Sequence, residues 1–298
     1  MRSLQYVSLL LVFIILFASC RSNNNKNKSR SKEELTKFDS VKARLNEIYY
    51  RFPSPDEMFQ YIENKGLQFD KELILPVKDV EKFLDSRSQA VNLGVYTADL
   101  AYITLFQKYK ESLDYFQVTY LLAGKLHISS SFNSAFIKRA ESNMGNLDSL
   151  KVLSGEAYSM ITSYLVQNDK EKVLAQISVG GFIESLYIAL NLIDDYSPDN
   201  ITIQRIADQR LAFDNMLKYC EVYNDDPNIE ELLNEIQPVK NIFDNLKIVK
   251  GETKTSRDKN GKIIVLGGDR IMITKDQYNE LKKVTGEIRN KITLITNN

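Results

Sequence analysis

Apolar residues recur along most of this chain at steps of three and four, the spacing of one helix face. Ser54-Pro55-Asp56-Glu57 marks the first clear start, with a serine N-cap, a proline at the first helical position and Glu57 closing a capping box. Met58, Tyr61 and Ile62 supply that helix's apolar face, and Gly66 is a natural stop. The pattern then predicts a short helix over 77–87 and a longer apolar one over 89–109. A helix over 110–127 follows, in which Leu113, Phe116, Tyr120 and Leu121 share a face. Further helices are expected over 132–144, 147–167 and 170–193, the last apolar over most of its surface and so central. Helices over 202–223 and 229–246 complete the series, with Pro238 expected to break or kink the final one.

Near Lys247 the period changes. Residues 248–254 read as a strand interrupted by Gly251, and Asn260-Gly261 is a hairpin signal because both centres of a type I′ turn need positive φ. Residues 263–266 are β-branched or aliphatic, Gly267-Gly268-Asp269 turns the chain, and 270–273 is a third short strand. Thr274 and Gln277 cap a last helix with Tyr278, Leu281, Val284, Ile288 and Ile292 on one side. The expected fold is mainly α, a multi-helix bundle or short helical solenoid, with a small β-hairpin or meander before the C-terminal helix. In domain terms, 35–247 is a helical domain, and 248–298 packs on it because so small a sheet does not fold alone.

One internal echo stands out. Asp99-x-x-Tyr102-Ile103-x-Leu105 and Glu184-x-x-Tyr187-Ile188-x-Leu190 share an order, each with glycine just upstream (Gly94; Gly180 and Gly181). This points to two related helical units around one core, although a coincidence in an Ile- and Leu-rich helical chain gives the same pattern.

Ahead of the helices lies a leader: Arg2, an apolar run from residue 7 to 17 broken only by Ser8, then Ala18-Ser19-Cys20. A charged start, a short apolar run and small residues describe a signal peptide over residues 1–19. The run is well short of the roughly 20 residues needed to span a bilayer. Cysteine directly after the small residues resembles the lipobox of bacterial lipoproteins, which implies cleavage before Cys20 and its lipidation. Phe17 departs from the aliphatic residue usual there. Residues 21–32 contain no apolar residue and no acid, only polar residues with Arg21, Lys26, Lys28, Arg30 and Lys32. Residues 20–34 therefore read as a lipidated cysteine and a solvated basic tether. Arg21 is not the aspartate that marks inner-membrane retention in well-studied lipoproteins, so that resemblance implies the outer membrane, with the body in the periplasm or at the cell surface.

Composition narrows the chemistry. The chain has 39 basic and 39 acidic residues, which argues against a nucleic-acid partner. Once Cys20 is acylated, Cys220 is the one thiol left, so stability rests on packing without an internal disulfide. His127 is the single histidine, which excludes metal sites built on several imidazoles. There is no tryptophan, which weakens a sugar-capture reading.

The candidate site residues are Asp99 and Glu184 with their i+3 tyrosines, Tyr102 and Tyr187. Both acids fall in apolar helices, and a buried carboxylate must find partners or hold its proton. If the two units pack together, the acids converge on a cation or a polar ligand; otherwise each makes a structural hydrogen bond. His127 suits the negative end of a helix, and Cys220 reads as a core thiol. Gly180-Gly181 lacks the Lys-Ser/Thr of a phosphate loop and reads as close helix packing, and Gly267-Gly268 reads as a turn. No catalytic, metal or cofactor constellation emerges.

The runs Asn92 to Tyr102 and Gly180 to Ile188, with the Asn260-Gly261 hairpin and the Tyr278-x-x-Leu281-Lys282 helix, resemble uncharacterised helical lipoproteins of the Bacteroidetes group. That resemblance implies a location and a fold type and carries no known activity. The expectation is a membrane-anchored, non-enzymatic interaction or envelope-assembly module with an envelope protein partner. The alternative is a periplasmic small-ligand or cation-binding protein using its buried carboxylates.

Overall fold

The computed structural model describes residues 58–59, 67–143, 147–193, 195–257 and 263–294. The leader, Cys20, the tether, the helix start at Ser54 and the Asn260-Gly261 turn lie outside the described residues. The fold is mainly helical, with a small antiparallel β element before the C-terminal helix.

Two helices form the centre: α1 (Ser86–Leu105) and, later in the chain, Glu171–Asn191. The first is buried without interruption from Ala90 to Thr104, and the second over most of its length. Helices apolar all round belong inside. Glu171–Asn191 is also long and apolar enough to cross a membrane, but it is mostly buried within this fold. Between them run α2 (Tyr109–Lys125), α3 (Ser134–Ser142) and α4 (Leu147–Gln167), which makes Glu171–Asn191 α5. Then come α6 (Ile201–Glu221), α7 (Pro227–Glu235) and α8 (Gln237–Asp244), and α9 (Lys275–Thr293) closes the fold. Helices α2, α4 and α9 pack on α1, and α4, α6, α7 and α9 pack on α5. Because α1 and α5 touch each other and α9 touches both, the architecture is a bundle; in a solenoid, units meet only their neighbours.

The α1–α5 crossing is a contact of backbones. A Cβ on Gly94 would lie 2.0 Å from the Ile177 carbonyl oxygen, and one on Gly180 would lie 1.9 Å from that of Val91. Only glycine lets the helices approach this closely.

Local chemistry corrects several boundaries. The expected helix over 77–87 is instead a 3₁₀ run, Val77–Lys82, that stops before α1. The stop is Asp85, whose carboxylate accepts from the Ser88 amide at 2.8 Å and its hydroxyl at 2.6 Å, capping α1 three residues earlier than its periodicity suggests. The helix expected over 229–246 is two helices parted at Ile236, because Pro238 in the first turn of α8 has no N–H to continue the ladder. Pro227 and the Asp226 cap start α7 two residues before the expected position.

The β element is not a meander. Strands β1 (Lys247–Val249), β2 (Thr253–Arg257), β3 (Ile263–Gly267) and β4 (Arg270–Met272) pair as β1 with β4 and β2 with β3, two nested ladders of one antiparallel ribbon. Val249 faces Arg270 and Thr253 faces Gly267, so three residues on one arm oppose two on the other. That is a β-bulge. On the shorter arm Gly267 (φ +78°) and Gly268 (φ +98°) turn the chain through positive φ, and Asp269 accepts from Lys250 at 2.6 Å and from the Gly251 amide at 3.3 Å. The base of the ribbon is tied to the helices: Gln204 donates to the Ile271 carbonyl at 2.8 Å and Tyr196 to that of Ile273 at 2.7 Å.

Candidate functional site

Five residues after Gly94 and three after Gly181, the two acids of the repeated pattern meet. Asp99 on α1 and Glu184 on α5 are both fully buried and face one another. The tight crossing sets this up: with no side chains between the helices, the next inward positions are forced together. Sequence reasoning found the pair but not its counter-ion. Arg289, from α9, grips Glu184 with two hydrogen bonds, Nε to Oε2 at 3.1 Å and Nη2 to Oε1 at 3.2 Å. Its guanidinium carbon stands 4.9 Å from the centre of the Tyr187 ring, a cation–π contact.

Asp99 is held differently. Its Oδ2 accepts from the Leu75 amide at 3.1 Å, while Oδ1 has no protein donor. Burial and then the neighbouring Glu184 push the Asp99 carboxyl well above the usual carboxylate range. A protonated Asp99 resolves the unmet oxygen, since it donates to Glu184 and leaves one carboxylate facing one guanidinium. Burial also raises Glu184, against the pull of Arg289 and of the Asp99 hydrogen bond. For Arg289 burial works against the charge, but Glu184 outweighs it and keeps the guanidinium protonated. The cluster Asp99(H)–Glu184⁻–Arg289⁺ is then neutral, as burial demands.

A strap of residues 70–76, a 3₁₀ turn at Lys71–Leu73 running into extended chain, covers this cluster. Tyr115 donates to the Leu75 carbonyl at 2.7 Å, and Tyr96 to that of Pro76 at 2.9 Å. Burial raises both phenols well above their ordinary range, so they act as neutral donors. Tyr102 accepts from the Asp70 amide at 2.9 Å and stacks on Phe69 with ring centres 5.3 Å apart. Two of the candidate tyrosines therefore part company. Tyr187 belongs to the cluster through Arg289, and Tyr102 belongs to the strap.

A second ion cluster ties α1, α7 and α9 together. Glu235, nearly buried, accepts two bonds from Arg87 at 3.0 Å each and pairs with Lys291 at 3.2 Å. No short-range spacing announces either arginine–glutamate pair, because Arg87 and Glu235 are 148 residues apart in sequence and Glu184 and Arg289 are 105 apart.

His127 follows the end of α2 at φ +55°, its amide bonded to the Gly124 carbonyl at 3.0 Å. This is a helix-ending position. Cys220 on α6 is buried against the Ala175 carbonyl at 4.0 Å, and burial pushes its thiol up to about 12. Among the described residues, no group of three or more His, Cys, Asp or Glu is placed to hold a metal ion. A small cleft elsewhere is lined by Leu100, Ser112, Leu113, Phe116, Ala140, Leu153 and Ser154, with no titratable group. No protein-family model, curated protein or solved structure matches the chain.

Proposed function

We propose that this chain is a lipid-anchored bacterial envelope protein whose helical body is a non-enzymatic interaction or assembly module. The observation that carries the reading is the leader: Arg2, a short apolar run, Ala18-Ser19 and then Cys20, followed by a basic polar tether. Acylation at Cys20 would hold the body at a membrane, since two or more chains make a stable anchor. The outer membrane is the proposed site, with the body in the periplasm or at the cell surface and another envelope protein as its partner.

The core supports a scaffold over a receptor. Asp99 and Glu184, the residues a ligand or cation would need, spend their hydrogen bonds on Leu75 and Arg289. The ligand-binding alternative would have to displace a bidentate guanidinium. Uniformly flat thermal shifts with divalent cations and small metabolites would remove it.

Fatty-acid labelling in a bacterial host tests the anchor. The wild-type chain is expected to take up label and fractionate with membranes, and Cys20→Ala is expected to be unlabelled and soluble. Membrane retention of an unlabelled Cys20→Ala chain would overturn the assignment. Co-purification from detergent-solubilised envelope tests the interaction reading, and recovery of no stable partner counts against it.

A further inference from the structure

The strap over the acid pair is exposed at Asp70 to Glu72 and at Pro76, and buried at Leu73, Ile74 and Leu75. Side chains fasten it to the helices. Asp99 takes the Leu75 amide, Tyr115 donates to the Leu75 carbonyl, Tyr96 to that of Pro76, and Tyr102 takes the Asp70 amide. The helical walls of the site have less freedom. Helices α1 and α5 meet backbone to backbone at Gly94 and Gly180, and α9 is held by the Arg289 grip on Glu184 and by Tyr278, which donates to the Leu190 carbonyl at 2.8 Å. A short segment tied by a few side chains opens at lower cost than packed helices part.

Asp99 serves both sides of this boundary: Oδ2 holds the strap, and Oδ1 is left for the proton shared with Glu184. The groups acting on it from the elements packed around it are Glu184 on α5 and Arg289 on α9, beside the phenols of Tyr96 on α1 and Tyr115 on α2. The surrounding elements also carry Asp70 at the head of the strap, Asp79 paired with Lys82 at 2.7 Å, Asp114 on α2, and Glu156 on α4, paired with Arg139. Arg289 is the cation at the pair, and its two hydrogen bonds go to Glu184. Loss of the Asp99 proton would therefore leave two fully buried carboxylates side by side with one guanidinium. Burial and Glu184 oppose that ionisation while the strap is closed, and lifting the strap admits water and weakens both effects. The closed site holds the proton more tightly than the open one, so rising pH favours opening.

We infer that Asp99 is a proton latch on the strap: protonated, it joins the Leu75 amide to Glu184 and keeps residues 70–76 closed; ionised, it shifts them toward an open state in which α1, α5 and α9 stay packed. Opening uncovers an apolar segment, Leu73-Ile74-Leu75, and a pair of carboxylates at the same time. The latch belongs to the helical body and involves neither Cys20 nor a partner, so it stands or falls apart from the anchoring and assembly reading.

Hydrogen exchange of the full chain, expressed at each pH as protection over the intrinsic rate and repeated in low concentrations of urea, reads the strap locally. Protection of the Ile74 and Leu75 amides is expected to fall by up to about tenfold per pH unit until Asp99 titrates, and to level off above that point. It should not respond to urea, because a local opening exposes little surface, whereas exchange in α1 and α5 should be slower and urea-sensitive. Carboxyl-carbon magnetic resonance of Asp99 places its titration on the same pH axis. Asp99→Asn is expected to hold strap protection constant with pH, and Tyr115→Phe to lower it by a constant factor and keep the slope. The coincidence of the two wild-type curves needs no variant, so it decides the matter even where Asp99→Asn fails to fold. Strap protection that ignores the titration of Asp99, or an unchanged slope in a folded Asp99→Asn chain, would overturn the inference. So would strap amides that share the protection and urea dependence of α1 and α5, which would make the opening global unfolding.

Discussion

The α1–α5 crossing and the β-ribbon are opposite ways of using polar residues. In the crossing, two glycines remove the side chains, two acids meet, an arginine neutralises them and a strap covers them. In the ribbon, cations and aliphatic side chains alike are left facing solvent, and its base is bonded to the helices. Charge placed inside is shielded from water and spent on structure, while Lys247, Lys250, Arg257 and Arg270 on the ribbon are exposed.

The comparison can be broken most severely at Gly180. Gly180→Val forces a Cβ to within 1.9 Å of a carbonyl oxygen, so a loss above about 4 kcal/mol, or failure to fold, is expected in thermal unfolding followed by circular dichroism. A melting temperature within a few degrees of the parent would show that the helices separate readily. Next is Arg289→Met, which strands a buried carboxylate; about 3–5 kcal/mol should be lost in urea unfolding at neutral pH. That loss should shrink in acid as Glu184 takes up a proton.

The pH dependence has a fixed sign. Burial raises both carboxyls above their ordinary values in the folded chain, Asp99 the more, so the folded state holds more protons than the unfolded one. Their contribution is complete below the ordinary carboxylate range and is lost as pH rises toward the folded-state pKa, by about 1.4 kcal/mol per pH unit for one retained proton. Asp99→Asn keeps a donor toward Glu184 and cannot ionise, so it should flatten this slope; an unchanged slope would place the proton elsewhere. Tyr115→Phe removes the bond to the Leu75 carbonyl, and about 1 kcal/mol should go, with faster amide exchange concentrated in residues 70–76. The smallest effect belongs to the ribbon: Ile248→Ser with Val249→Ser should change stability by no more than about 0.5 kcal/mol, because both side chains are already exposed.

How much of this was legible in the sequence follows from how local each signal is. Helix periodicity, the Thr274–Gln277 capping box and the Pro238 break lie within a few neighbouring residues and could be read directly. The tight glycine crossing and the acid pair were visible as a repeated pattern, because both members occupy apolar helices where an acid is conspicuous. Arg289 was not visible, since α9 is rich in basic residues and nothing in its spacing separates the one that turns inward from Lys282, Lys283 or Lys291. Tyr102 and Tyr187 look equivalent in sequence, and only the strap beside one and α9 beside the other divide them. The bulge escaped notice because register is a property of two strands, and a one-residue slip leaves no mark on either.

Cys220 gives this fold a clock. Its sulfur lies between α6 and α5, and its proton is held to about 12, so a thiol reagent reaches it only when the helices part. In a chain with Cys20 replaced by Ala it is the single thiol. The rate of modification should then rise with reagent concentration only until it meets the rate of opening, and that plateau would time the unfolding of the core with no probe added.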